Sequence, residues 1–476
     1  MNPLDVAFNR CSPRLLPRKA PVFSYLLTFG VTLLWLGLLS RAFASHSLLA
    51  WSAGIVYVSY DTLLIILITL TSLPLILHKR PQLHAAPLKN LSVGVIVPAF
   101  NEAPVLVRTL KALIQQKSPA DKIILADDGS TDNSSQVLEQ FLQLNTPKKG
   151  ELSAASPRFS NIYWLRLPHR GKAQTLNHTL PYLHTDLIVT VDADTRLDQA
   201  ALQEAKTYFT DHPRVVAATG ILTPQCAPHT KGKILELFQR YEYIRNFISR
   251  YSFMRVDSLL LISGALAIFK RDSLVCVGGF DPECLVEDYE VIHRLHRFSV
   301  EHQQDWHTAV IGSVQGITSS PSTIGSFLKQ RRRWFAGFLQ TQHWNRDMIG
   351  NPKFKLLGLL MMPIKTFDTH QPVYGLSAFT LLLWYVLSGQ LSLVLGILSI
   401  MLSKVMFDSL YHLWSILLYR RWTGLKHTSP IAYALLSSLL EPFSFQLLRH
   451  LGATLGWFHF MTGQRQWGKE KRAHIV

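Results

Sequence analysis

Apolar residues follow one another almost without interruption from Val22 to about Phe43, and again roughly from Ala53 to Leu77. Each run is long enough to cross a bilayer core of about 30 Å as a helix. Arg10, Arg14, Arg18 and Lys19 precede the first run, and His78-Lys79-Arg80 closes the second. Positive charge at both outer ends places both on the cytoplasmic side, so the pair reads as a hairpin. The basic N-terminus also has the outline of a signal peptide. The run is too long for one, lacks a small-residue cleavage site and is followed by a second span, which favours a retained anchor. Asp61 lies inside the second run. It is either a polar contact along a substrate path or a carboxylate near the outer interface, and the sequence favours the second.

From Leu91 to about Trp344 the pattern changes. Short β-type runs (Ser92–Val97, Lys122–Ala126, Asn161–Leu165, Leu187–Val191, Arg214–Thr219) alternate with stretches of helical period such as Pro104–Gln115 and Ser134–Leu144. That alternation predicts crossover units and a mostly parallel sheet. Ligands of such sheets bind beyond the carboxyl ends of the strands.

Beyond Trp344 long apolar runs return. Phe354–Phe367, carrying Lys355 and Lys365, suits a helix lying in the interface. Further runs cover Pro372–Leu387, Leu391–Tyr419, Ile431–Leu440 and Phe443–Met461. Arg420, Arg421, Lys426 and the basic tail Lys469–Arg472 read as cytoplasmic. Parity then predicts four crossings here and six in all, the pair around Glu441-Pro442 having the weakest pattern. The expected organisation is a membrane hairpin over 1–88, a cytosolic α/β domain over 89–346 and membrane helices over 347–476.

Composition agrees. Apolar residues make up 48% of the 476 and charged residues 17%, against a usual charged share of about a quarter. The net charge of +17 first suggests nucleic acid, but the basic residues gather at span ends and at Gln330–Trp334 instead of interleaving with aromatics on a soluble surface. Span flanks and binding of an anionic diphosphate account for the excess. Cys11, Cys226, Cys276 and Cys284 show no metal spacing and read as thiols of a reducing compartment.

Six motifs carry chemistry. Val97-Pro98-Ala99-Phe100-Asn101-Glu102 and Asp127-Asp128-Gly129-Ser130-Thr131-Asp132 each end a strand. Their carboxylates can accept from a base or ribose, and either motif alone also fits a capped turn. Asp192-Ala193-Asp194 puts two carboxylates on the same side of an extended chain. With substrate phosphates they suit Mg²⁺ or Mn²⁺, although alone they could be a solvated acidic loop. Lys172, in His169-Arg170-Gly171-Lys172, falls where a helix begins and suits a diphosphate; an ordinary basic helix start is the bland reading. Val286-Glu287-Asp288-Tyr289-Glu290 offers Asp288 as a base for an acceptor hydroxyl, or simply an acidic first turn. In Gln330-Arg331-Arg332-Arg333-Trp334, Gln330, Arg333 and Trp334 share one helical face. That face presents an amide, a cation for phosphate and an indole for a sugar ring. Arg331 and Arg332 best fit a plain basic helix near the membrane.

In this order, within one α/β region, the motifs closely resemble those of the family 2 inverting glycosyltransferases, in particular the membrane synthases of cellulose, chitin, hyaluronan and poly-N-acetylglucosamine. The resemblance implies a GT-A-like domain inserted between transmembrane helices. It also implies donor contacts at Pro98, Ala99, Glu102, Asp127, Asp128, Lys172, Asp192 and Arg333, metal at Asp192 and Asp194, the base at Asp288, and acceptor contacts at Glu287, Gln330 and Trp334. The implied partners are a nucleotide sugar, with UDP the expected nucleotide, a glycan or lipid acceptor, and the bilayer, with the catalytic domain on the cytoplasmic side of the cell membrane. Val286 stands where that family's best-known synthases carry threonine. A synthase of a β-linked polysaccharide is the leading expectation, and transfer of single sugars to a lipid its nearest rival. A non-catalytic membrane scaffold ranks lower, because every expected carboxylate is present.

Overall fold

The computed structural model describes residues 3–44, 47–77, 91–425 and 431–463. The topology markers His78, Lys79, Arg80, Lys426 and Lys469–Arg472 lie outside the described residues.

A short helix, α1 (Pro3–Cys11), precedes two long apolar helices, α2 (Val22–Ala44) and α3 (Ser52–Ser72). Tight turns at Leu48–Trp51 and Leu73–Ile76 lengthen α3 at both ends. Large side chains such as Leu26, Phe29 and Leu33 of α2 are exposed. So apolar a surface is stable against lipid, where a helix satisfies its own backbone.

The α/β region follows as β1 (Val93–Ala99), α4 (Ala103–Ile114), β2 (Lys122–Asp127), α5 (Ser134–Leu142), β3 (Ile162–Arg166), α6 (Lys172–Thr179), β4 (Leu187–Val191) and β5 (Thr195–Leu197). Next come α7 (Ala201–Asp211), β6 (Val215–Gln225), α8 (Thr230–Arg255), β7 (Leu266–Lys270), α9 (Arg271–Cys276), α10 (Glu287–Glu301), β8 (His307–Ser319) and α11 (Ile324–Trp344). The strands form one sheet in the order β3-β2-β1-β4-β7-β6-β8-β5. β1 is buried along its whole length, as its unbroken apolar run requires of a strand covered on both faces. Its side chains alternate between two cores. Val95 and Val97 join Leu106, Leu110, Leu138 and Phe141 of α4 and α5. Ile96 joins Leu176 of α6, Leu274 of α9 and Val291 of α10 on the other face.

The expected strand Leu187–Val191 is found residue for residue, and three others within two residues at each end. The last expected strand runs on to Gln225. The sheet is mixed: four pairings are parallel, whereas β7 runs antiparallel to β4 and β6, and β5 antiparallel to β8.

Beyond α11 lie α12 (Met362–Leu387), α13 (Leu391–Thr423), α14 (Ile431–Leu440) and α15 (Phe445–Met461). The separate interfacial helix expected over Phe354–Phe367 does not form. A tight turn at Pro352–Phe354 and a wide turn at Leu357–Met361 lead straight into α12, which carries Pro372 in its interior. α14 has 10 residues, about 15 Å of rise, half of what a crossing needs. It therefore does not form the separate crossing expected for Ile431–Leu440, but meets α15 at a 49° bend over Glu441–Phe443. Among the described residues three helices are long and apolar enough to cross a membrane: α2, α3 with its turns, and α13. The bent pair would make a fourth. The chain is thus a membrane protein with its α/β domain inserted between apolar helices.

Asp61 is not an isolated interfacial carboxylate. It pairs with Lys404 of α13 at 2.6 Å, and its Oδ1 accepts from Gln371 of α12 at 3.3 Å. Three helices meet at this contact.

Candidate active site

The loops after β1, β2 and β3 are tied together by the residues of the first two motifs. Asn101, held at φ 58, accepts the backbone N–H of Thr131 at 2.7 Å. Its own N–H donates to Ser130 Oγ. Phe100 stacks on His169 with ring centroids 4.0 Å apart. Gly129 must be glycine: it sits at φ +74, and a Cβ would come 2.7 Å from the His169 nitrogen.

The two neighbouring aspartates differ. Asp127 Oδ1 accepts the Ser130 N–H at 2.9 Å, while its Oδ2 is buried without a hydrogen-bond partner among the described residues. Burial raises its pKa, against the Ser130 hydrogen bonds. Asp128, expected as a donor contact, engages both oxygens inside the protein. Oδ1 accepts from the Arg170 N–H, and Oδ2 from the Gly171 N–H, both at 2.9 Å, with His169 Nδ1 2.8 Å from Oδ2. It shapes the turn that starts α6 and so aims Lys172.

Lys172 reaches from α6 to the end of β4. Its Nζ donates to Asp192 Oδ1 at 2.6 Å and lies 3.5 Å from Glu287 Oε1. Burial works against its charge, but Asp192, Glu287 and Asp288 outweigh it and raise the pKa. Glu287 is pushed up by burial and drawn back by Lys172. Asp288, in the first turn of α10, accepts the Gly264 N–H on Oδ2 at 2.6 Å and the Tyr289 N–H on Oδ1 at 2.9 Å. A Cβ on residue 264 would stand 2.9 Å from Asp288 Oδ2, so only glycine permits this approach.

On α11, Gln330, Arg333 and Trp334 face one cavity, as their spacing predicts. Gln330 Oε1 is buried there with no hydrogen-bond partner among the described residues. Arg331 is no plain surface cation. It makes a double hydrogen bond to Glu242 of α8, both contacts 2.7 Å, and its guanidinium lies 4.6 Å from the Trp334 ring. Glu242 was not foreseen, because its partner is 89 residues away and no local spacing signals the pair.

The cavity encloses about 540 Å³. It brings together eight of the expected site residues: Lys172, Asp192, Asp194, Glu287, Asp288, Gln330, Arg333 and Trp334. Pro98, Ala99, Glu102, Asp127 and Asp128 are not among its lining. They stand at the ends of β1 and β2, to one side of Asp192 along the sheet. The lining also takes in Leu64 and Ile68 of the apolar helix α3, Lys365, Asp368 and Pro372 of α12, and His450 of α15. Sequence reasoning assigned none of these to the site.

Asp192 and Asp194 both face this space, and the described residues contain no group of three or more ligating side chains. Two carboxylates fit a divalent ion whose remaining ligands are substrate phosphates and water, the usual habit of Mg²⁺.

A mixed sheet with acidic loops at its strand ends, facing a cavity beside apolar helices, defines a GT-A architecture set between apolar helices. The family model described as glycosyl transferase family group 2 matches residues 187–453, and that of glycosyl transferase family 2 matches residues 94–278. The chain belongs to the family 2 glycosyltransferases. A poly-beta-1,6-N-acetyl-D-glucosamine synthase from Staphylococcus epidermidis is 28% identical over 284 residues, 59% of this chain and 62% of the relative. The enzyme of that description from Staphylococcus aureus (strain COL) is 26% identical over 265 residues, 55% of this chain and 57% of the relative. The chain thus spans about three-fifths of the length of these relatives. A mannosyltransferase from Pyrobaculum calidifontis, solved with GDP-Man and Mn²⁺, shares the fold at a TM-score of 0.55 and 19% identity, over 83% of this chain and 99% of its own.

Proposed function

We propose that this chain extends a β-linked polysaccharide of N-acetylhexosamine, taking each sugar with inversion from a UDP-sugar, most simply UDP-N-acetylglucosamine. The observation that carries the reading is the single cavity that joins Lys172, Asp192, Asp194 and Asp288 to Gln330, Arg333 and Trp334 and continues to α3, α12 and α15. The names of the Staphylococcus relatives support the choice of sugar.

In this reading an acceptor hydroxyl attacks the anomeric carbon as the bond to the diphosphate breaks, and its proton passes to Asp288. Lys172 and Arg333 hold phosphate oxygens. When the diphosphate arrives, Lys172 exchanges part of its contact with Asp192 for the ligand. Asp127 accepts from the nucleotide through its unpartnered oxygen. Gln330 and Trp334 hold the acceptor, the indole as an apolar face for the sugar ring. Asp192 and Asp194 would hold Mg²⁺ or Mn²⁺, which supplies Lewis-acid stabilisation of the leaving diphosphate. The α/β domain faces the cytoplasm, where nucleotide sugars are made; protease added outside intact cells then leaves it uncut.

The test is purified full chain in detergent with a panel of nucleotide sugars, reading released nucleotide and product length. A polymer or ladder from UDP-N-acetylglucosamine is expected. A single discrete glycolipid would replace this reading with lipid glycosylation, and no released nucleotide from any donor would overturn it.

A further inference from the structure

Arg250, on α8, belongs to none of the six motifs, yet it lines the same cavity as Asp288 and is close enough to feel its charge. Its Nε and Nη1 are buried without a hydrogen-bond partner, and it makes no ion pair among the described residues. Its guanidinium lies over the Phe247 ring, 4.7 Å from the centroid. Burial lowers its pKa, and the ionisable groups that offset this are Tyr243 and Asp288. A buried cation with no paired anion is costly, so such a group is kept where a ligand completes it.

Its place indicates which ligand. The charges acting on Lys172 are Asp192, Glu287 and Asp288. Lys172 Nζ lies 2.6 Å from Asp192 and 3.5 Å from Glu287, whereas Arg250 pairs with neither among the described residues. Lys172 therefore serves the carboxylate end, where the diphosphate is proposed to bind. Arg250 lines the cavity together with Tyr243, Asn246 and Phe247 of its own helix and with Trp334 and Phe338 of α11. Aromatic faces interspersed with amide and guanidinium donors suit the oxygens and apolar faces of a sugar.

We propose that Arg250 binds the terminal sugar of the acceptor, its guanidinium donating to a hydroxyl or amide oxygen and so holding the attacking hydroxyl against Asp288. The assignment rests on Asp288 being the base. It satisfies both partners at once: the guanidinium donates to the sugar, and the attacking hydroxyl donates to the carboxylate.

The experiment uses the full chain in detergent, UDP-N-acetylglucosamine as donor and a β-1,6-linked N-acetylglucosamine tetrasaccharide as acceptor. UDP release without acceptor reads donor hydrolysis, and sugar added to the tetrasaccharide reads transfer. Loss of a charged hydrogen bond predicts that Arg250→Met raises the acceptor KM by about 10- to 100-fold. Donor hydrolysis and melting temperature should stay near those of the wild type. Arg250→Lys keeps the charge without the fork and should fall between. A raised donor KM with an unchanged acceptor KM overturns the assignment in favour of a donor contact. Equal loss of both activities with a lowered melting temperature overturns it in favour of packing. Asp288→Asn separates the parent reading: wild-type transfer by that variant defeats the base, whereas an inactive Asp288→Asn beside an unchanged acceptor KM in Arg250→Met defeats only this inference. A wild-type chain that releases UDP but transfers nothing to the tetrasaccharide overturns both.

Discussion

The two ends of the cavity handle charge differently. At the strand end, Lys172, Asp192, Glu287 and Asp288 come from loops and first helical turns. Lys172 and Asp192 keep about a fifth of their side-chain surface exposed. At the end beside α11 and α15 the charges come from helices and from the bend between α14 and α15, and they form a ladder that runs on behind the cavity lining: Arg331 to Glu242, Glu242 to Arg449, Arg449 to Glu441, and Glu441 to Arg245. Glu242 is 4% exposed and Glu441 6%. Contacts at the first end can be exchanged for a ligand. Those at the second hold α8, α11 and α15 to one another and fix the break between α14 and α15. Substitutions at the strand end should therefore cost activity first, and substitutions in the ladder should cost stability first.

The largest effect falls on Asp288. Asp288→Asn should lower the transfer rate by about 10²- to 10⁴-fold, since an amide cannot take the acceptor proton. It also exchanges one acceptor oxygen for an NH₂, although both carboxylate oxygens receive backbone N–H groups. A modest loss of melting temperature should accompany the loss of rate, with donor KM little changed. A full rate would remove Asp288 from the chemistry. Chelation tests the same end without a mutation. Excess EDTA should stop transfer and added Mn²⁺ restore it; full turnover in chelator would mean that Asp192 and Asp194 serve only Lys172 and the fold.

The ladder is tested by Glu242→Ala, which leaves Arg331 and Arg449 without their shared carboxylate. Breaking a buried pair from one side costs about 3–5 kcal/mol, read as a lower melting temperature in detergent. Adding Arg331→Ala should recover part of that loss, because the uncompensated charge goes with it. Unchanged melting in Glu242→Ala would erase the distinction between the two ends.

These ends also differ in how much of them could be read from the sequence. Asp192 and Asp194 follow β4, whose apolar run announces it, so their place was legible together with the sheet half β1–β4; Asp288 was singled out by an acidic first helical turn, and it lines the same cavity. What the sequence does not reveal about Asp128 is that its carboxylate oxygens are engaged by a turn 41 to 43 residues away. β7 and β8 were missed, as was α8. α8 is buried on several sides, by Tyr241, Ile244, Phe247 and Ile248 among others, so its polar and apolar residues do not separate into a readable stripe. Glu242 and Arg250 were hidden for the same reason. The pairing of Asp61 could not be read from the sequence, because its partner Lys404 is on a helix more than 300 positions away.

Trp334 lies between the two regimes, and its substitution should have the smallest and most selective effect. Its ring faces the cavity and also covers the Arg331 guanidinium of the ladder. If the indole is the acceptor platform, Trp334→Ala removes a face of roughly 150–250 Å². The acceptor KM should then rise about tenfold, for a loss of roughly 1.4 kcal/mol, while donor hydrolysis persists. If the ring serves only to cover Arg331, what is lost is a cation–π contact of about 0.5–2 kcal/mol. Melting temperature then falls and the ratio of transfer to hydrolysis stays fixed. Trp334→Phe distinguishes these more finely, because phenylalanine keeps an aromatic face for the guanidinium but offers a sugar a smaller platform. A variant with wild-type melting and a reduced transfer-to-hydrolysis ratio would assign the indole to the acceptor. The converse pattern would move Trp334 into the ladder and leave Gln330, with its unpartnered oxygen, as the acceptor contact of that helix.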